Sequence, residues 1–229
     1  MIIPCIDLQD GRAVQLVRGR RRALAVDDVL GLLERFRKYS QLHIIDLDAA
    51  LRTGRNDRLV RTLCREAKRR FDFRLRVGGG IRTATRAMSL LRGGADQIIL
   101  GSAVFKNGHI RARFLDAFAR RVGRKRIIIA LDCKKGKIVV SGWRKALRLR
   151  PEDLIPQLES YCAGFLCTFV DNEGTLRGTN LDWFRGLRRV TRHPIIAAGG
   201  IRSRAEVRAL ERIGMDAAVG MALYLNRLR

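Results

Sequence analysis

Eight short apolar runs alternating with amphipathic stretches, a glycine-rich phrase that returns at matched spacing, and a similar opening in each half predict a (β/α)8 TIM barrel. The duplication predicts two similar half-barrels. In the first half Val77-Gly78-Gly79-Gly80-Ile81-Arg82 leads to Gly94-Ala95-Asp96 and then Gly101-Ser102. In the second, Ala198-Gly199-Gly200-Ile201-Arg202 leads to Gly214-Met215-Asp216 and Gly220, with Gly79 to Gly94 spaced as Gly199 to Gly214. The openings also correspond: Ile6-Asp7-Leu8-Gln9-Asp10-Gly11-Arg12 and Leu131-Asp132-Cys133-Lys134-Lys135-Gly136-Lys137 are each an apolar strand ending in Asp and entering a Gly turn. The half-repeats fall at about 1–122 and 123–229 of one domain, since no composition shift or Pro/Ser/Gly-rich linker divides the chain.

Taken in order, the first apolar run, 2–6, predicts a strand that delivers Asp7, and 29–39 a helix. Strands follow at 42–46, 73–77 and 97–100, with helices at 58–70, 85–92 and 110–121. The second half repeats the alternation, with strands at 126–131, 164–169, 194–197 and 217–219. Its helices are expected at 151–161, 181–190 and 205–213. Pro151 with Glu152 and Asp153 suits a first helical turn, where a missing N–H costs little and carboxylates meet the positive end of the dipole. Ser203 and Glu206 have the spacing of a capping box. In such a barrel chemistry gathers at the carboxyl ends of the strands, which puts Asp7, Asp46, the Gly78–Gly80 turn, Gly101, Asp132, Thr168, Gly199 and Gly220 on one face.

Composition narrows the function. No apolar run spans a bilayer, and the start lacks the basic flank of a signal peptide, so a cytoplasmic protein with no membrane partner is expected. The five cysteines are scattered and form no metal-ligand spacing with the three histidines; reduced core thiols and no metal site are expected. The formal net charge of +25 comes largely from arginines on helical faces, so it is read as solvated surface and not as a specific nucleic-acid site. A positive field also concentrates phosphorylated metabolites.

Two glycine turns, each followed by a further strand ending in glycine (Gly101-Ser102 and Gly220-Met221), predict two phosphate cradles, where bare backbone amides and helix N-termini approach an anion. Asp7 and Asp132 end the first and fifth strands, opposite staves of the barrel, and such a pair can divide proton removal from proton donation. The alternative at each position is an Asp that caps a loop.

The segments Ile2-Ile3-Pro4 with Ile6-Asp7-Leu8, His43-Ile44-Ile45-Asp46-Leu47, Val77–Arg82, Ala130-Leu131-Asp132, Ser141-Gly142-Trp143, Gly174-Thr175-Leu176 and Ala198–Ile201 make the whole chain resemble the histidine-biosynthesis barrel isomerases. The resemblance implies an Amadori rearrangement of a bis-phosphorylated aminoimidazole carboxamide ribotide without a cofactor, Asp7 acting as base at ribose C2 and Asp132 as the acid that opens the furanose. It also implies that His43, Gly79, Gly80, Arg82, Gly101, Ser102, Trp143, Thr168, Glu173, Gly174, Gly199, Gly200, Gly220 and Met221 line the substrate. Trp143 either stacks on the imidazole or packs a loop, Arg82 either meets a phosphate or braces a loop, and His43 is read as a hydrogen-bonding residue behind the site. Cys5 and Cys133 are read as packing residues turned away from the carboxylates.

Four departures from the family pattern stand out. Glu173-Gly174-Thr175 replaces Asp-Gly-Thr, and Arg76 replaces a Gln, where it is expected to pair with a carboxylate or a phosphate. The segment 18–28 is a short, intensely basic loop in place of a longer lid. After the eighth strand the usual final helix is missing, so exposed apolar surface, covered by a homodimer or other partner, is expected. Three alternatives remain: an isomerase that also accepts phosphoribosyl anthranilate, which Arg144 beside Trp143 allows, the sister cyclase barrel, and a non-catalytic cationic barrel.

Overall fold

In the computed structural model, which describes residues 1–228, the eight apolar runs pair edge to edge in chain order until the last meets the first. The strands are β1 (Ile2–Gln9), β2 (Gln41–Asp46), β3 (Arg74–Gly78), β4 (Gln97–Leu100), β5 (Ile127–Lys134), β6 (Gly164–Phe169), β7 (Ile195–Ala198) and β8 (Met215–Val219). Every neighbouring pair is parallel; Ile98↔Ile127 joins the halves and Ile2↔Ala217 closes the ring. Because alternate side chains point into the barrel and out to the helices, both faces of each strand are buried and the sequence shows continuous apolar runs. The inner face holds Ile3, Ile99, Ile128, Leu166, Ile196 and Ala218. The outer face packs residues such as Leu42, Ile44, Leu75 and Val77 against the helices.

The helices that follow the strands are α1 (Gly31–Arg35), α2 (Asp57–Arg70), α3 (Ala84–Arg92), α4 (Ala112–Val122), α5 (Pro151–Leu158), α6 (Leu181–Val190), α7 (Arg204–Arg212) and α8 (Met221–Tyr224), and a further short helix, Leu47–Leu51, is capped by Asp46 directly after β2. Pro151 opens α5 with Glu152 and Asp153 in its first turn. At α7, Glu206 N–H donates to the Ser203 cap as expected, while the Glu206 carboxylate accepts from Arg202 N–H, one residue before the cap. Most boundaries fall within two residues of those expected from the pattern, whereas α1 is far shorter than 29–39. Its buried face, Leu32, Leu33 and Phe36, is spent within two turns, and the chain then turns back to enter β2.

Three expectations are corrected. The basic segment after β1 is not a loop: β1 overruns to Gln9 and pairs with Arg12–Val17, which pairs in turn with Arg21–Val26. Arg76 reaches neither a carboxylate nor the cradle. It points inward, donates to Gln97 (2.8 Å) and to Gln41, and since these begin β4 and β2 it plugs the amino-terminal floor. The apolar surface expected after β8 is largely covered from within. Leu223, Tyr224 and Leu228 are buried, the Tyr224 ring meets Phe36 edge-on at 5.7 Å, and Arg35 donates to the carbonyls of Leu223 and Tyr224. No helix of the described residues is long and apolar enough to cross a membrane.

Candidate active site

At the carboxyl end of the strands lies a cavity of about 260 Å³ that is lined by all sixteen residues singled out above. Two hairpins rise over it, one continuing from β1 (Arg12–Val17 and Arg21–Val26) and one from β5 (Lys137–Val140 and Lys145–Ala146). They meet tip to tip. A methyl group on Gly19 would collide with the Trp143 ring, and Ser141, Gly142 and Trp143 all take positive φ to turn that ring inward. The loop after β6 joins them, with Arg18 N–H donating to Glu173 O (3.0 Å) and Lys135 N–H to the Asp171 carboxylate (2.7 Å).

Three carboxylates share the cavity. Burial pushes Asp7 up to about 7, and no side-chain partner offsets that cost. Glu173 is also pushed up to about 7, by burial and then by the nearby charges of Asp7 and Asp132, against a hydrogen bond from the Gly200 amide. Burial raises Asp132 as well, but Thr168 and Trp143 donate to it, the indole Nε1 at 2.9 Å, and both bonds favour its anion. The pair therefore stands in unlike surroundings, one carboxyl bare and one held.

His43 lies at the cavity wall with both ring nitrogens buried and without a hydrogen-bond partner, so it is not the tethered residue expected from sequence. Burial, with Arg76 nearby, depresses its pKa well below the ordinary value and keeps it neutral. Arg82 braces the wall by donating to the carbonyls of Ala49 and Ala50, both at 3.1 Å. Cys133 packs in the core, but Cys5 lines the cavity, contrary to expectation: it lies two residues before Asp7, and in a strand i and i+2 share a face.

The glycines divide by role. A methyl at Gly79 (φ 98°) would overlap the Asp46 carbonyl oxygen, and one at Gly199 (φ 106°) the Phe169 carbonyl oxygen. In both halves the bare backbone is needed first so that one strand end can lie against its neighbour. Gly101 differs, because a methyl there would meet only Ala130 Cβ at 4.0 Å. Gly101 and Gly220 take similar backbone angles (φ −100°, ψ −117° and φ −105°, ψ −95°) ahead of the turns that carry Ser102 and Met221.

Gln15 is the residue that sequence reasoning missed. It is 3% exposed, lines the cavity beside Gly220, and its Nε2 has no hydrogen-bond partner. The signal was present: one polar amide inside the apolar strand Ala13-Val14-Gln15-Leu16-Val17. Among the described residues no group of three or more His, Cys, Asp or Glu stands in a metal-holding arrangement.

The model of the family described as "Histidine biosynthesis protein" matches residues 1–229. A relative from Methanocaldococcus jannaschii is 34% identical, covering 98% of this chain and 93% of its own. Others from Halothermothrix orenii (36% identical, 99% and 95% covered) and Aquifex aeolicus (31% identical, 99% and 94% covered) carry the same name. All three are named 1-(5-phosphoribosyl)-5-((5-phosphoribosylamino)methylideneamino)imidazole-4-carboxamide isomerase.

Proposed function

Because the chain belongs to the histidine biosynthesis protein family, we propose that it isomerises the doubly phosphoribosylated imidazole carboxamide named in its relatives. The carrying observation is the pair of half-buried carboxylates on opposite staves, Asp7 bare and Asp132 held by Trp143 and Thr168, facing one cavity between two glycine-rich strand-end regions. Asp132, raised by burial although its two donors favour the anion, protonates the ring oxygen as the furanose opens, and the nitrogen lone pair leaves a protonated imine at C1. Asp7 takes the proton from C2, the electron pair moves to form the C1–C2 enamine, and tautomerisation gives the ketose. Every atom is retained, as an isomerisation requires.

The two phosphates occupy the ends of the cavity, one at Gly79, Gly80, Gly101 and Ser102, the other at Gly174, Gly199, Gly200, Gly220 and Met221. The room in front of Gly101, which protein packing does not demand, supports this placement. Trp143 stacks on the imidazole while its Nε1 holds Asp132, and His43 offers a neutral ring from the wall. Glu173 retains a carboxylate where the family has Asp, which weakens the case for a non-catalytic barrel. Both carboxylates and both cradles come from one chain, so the chemistry needs no second copy. The five free cysteines suit the reducing cytoplasm.

The test is turnover of the bis-phosphorylated ribotide by the parent, Asp7→Asn and Asp132→Asn. Each variant is expected to lose activity by about 10²–10⁴-fold while remaining folded. A folded parent that binds the ribotide without converting it would overturn the proposed reaction.

A further inference from the structure

Residues 11–26 and 133–150 together contain twelve Lys and Arg and no Asp or Glu. They are far apart in the chain, yet they form the two hairpins that meet above the cavity, with the Trp143 ring against Gly19. Among the described residues, carboxylates elsewhere pair only with Arg12 (Asp27), Arg22 (Asp10) and Arg150 (Glu152). Arg20, Arg21, Lys135 and Lys145 are exposed, and their side chains form no ion pair with a carboxylate among the described residues.

On a helix, a cationic face ordinarily contributes only solubility. Here one sign of charge spans the mouth of a buried site. At physiological ionic strength screening takes hold over about 8 Å, so clustered charges at the rim act together on an approaching anion. A cleft rimmed by one sign of charge raises encounter rates by about 10–10³-fold. Accepting the substrate class proposed above, we propose that the paired hairpins are a capture surface for its two phosphate groups, acting on association and not on the chemical step. A small dianionic or tetra-anionic ligand fits better than a nucleic acid, because the cations crown the mouth of a cavity of about 260 Å³, which admits a small molecule.

The test is the quadruple variant Arg20→Gln, Arg21→Gln, Lys135→Gln and Lys145→Gln, none of which lines the cavity. Binding is followed by stopped-flow tryptophan fluorescence in an Asp7→Asn background, where the ribotide is bound but not converted. At an ionic strength of about 0.02 M its association rate constant is expected to fall about tenfold or more, the deficit shrinking as salt screens the parent's advantage. In the Asp7 background kcat should stay within about twofold, with the loss confined to kcat/KM. An unchanged association rate and salt slope would overturn the capture role. So would a single-stranded oligonucleotide that binds the parent at about 0.15 M salt and is lost in the variant while ribotide association is unaltered. A parent that neither binds nor converts the ribotide would instead remove the functional premise.

Discussion

Asp7 carries a cost that its neighbours do not relieve, and this makes its protonation visible in two ways. Its carboxyl ionises in the unfolded chain near 3.8 and in the folded protein at about 7, so stability is lost as pH rises from about 4 to 7. Asp7→Asn has no such loss. Its melting temperature should exceed the parent's by about 3 °C or more at pH 8 and match it below pH 4, measured by calorimetry. In the proposed role of base Asp7 must be ionised, so the acid limb of the parent's kcat/KM profile should rise through about 7. At Asp132 the indole of Trp143 favours the anion, and Trp143→Phe removes that donor. The basic limb should then move to higher pH, because the acid form persists longer. The proposed acid–base pair was legible in the sequence because each Asp stands near the end of an apolar run, shortly before a Gly turn. The unlike surroundings were not, since Thr168 and Trp143 come from other segments. Cys5 was misplaced for want of counting by two along β1.

At the scale of the element, the strand-end glycines separate packing from binding. Gly79→Ala and Gly199→Ala should each cost roughly 2–3 kcal/mol in urea denaturation, since a methyl meets a neighbouring carbonyl and φ is positive. Gly136→Ala, with φ 73° and nothing within 4 Å, should cost only about 1 kcal/mol for the backbone alone. Gly101→Ala should leave the melting temperature nearly unchanged and raise KM about tenfold or more, because its methyl intrudes on the cavity and not on protein. Equal melting losses at Gly101 and Gly79 would contradict this division. The repeated glycine phrase announced these turns, but spacing alone gives no partner, and the carbonyls of Asp46 and Phe169 are revealed only by strand pairing. The hairpin after β1 escaped notice because its basic run from Arg18 to Arg22 read as a charged loop and hid the pairing of Ala13–Val17 with Arg21–Val26.

For the whole molecule the dominant fact is unbalanced charge. A formal net charge of +25 on 229 residues makes the folded state repel itself, so raising ionic strength from about 0.02 to 0.2 M should raise the melting temperature of the ligand-free protein. A fall with added salt would mean that attractive pairs such as Arg12–Asp27 and Arg22–Asp10 outweigh the repulsion. The barrel was legible because its alternation of strand and helix is periodic and local. Where the charge would concentrate was not, since only closure of the barrel sets residues 12–26 against 134–150. The same crowding makes the hairpins exposed substrates for trypsin, which cuts after lysine and arginine, while the barrel strands beneath them lie in the core. A cut at Arg20 or Lys145 would thus report whether the mouth is covered, and the rate of nicking, set against ligand concentration, would give a binding curve for any compound, reactive or inert.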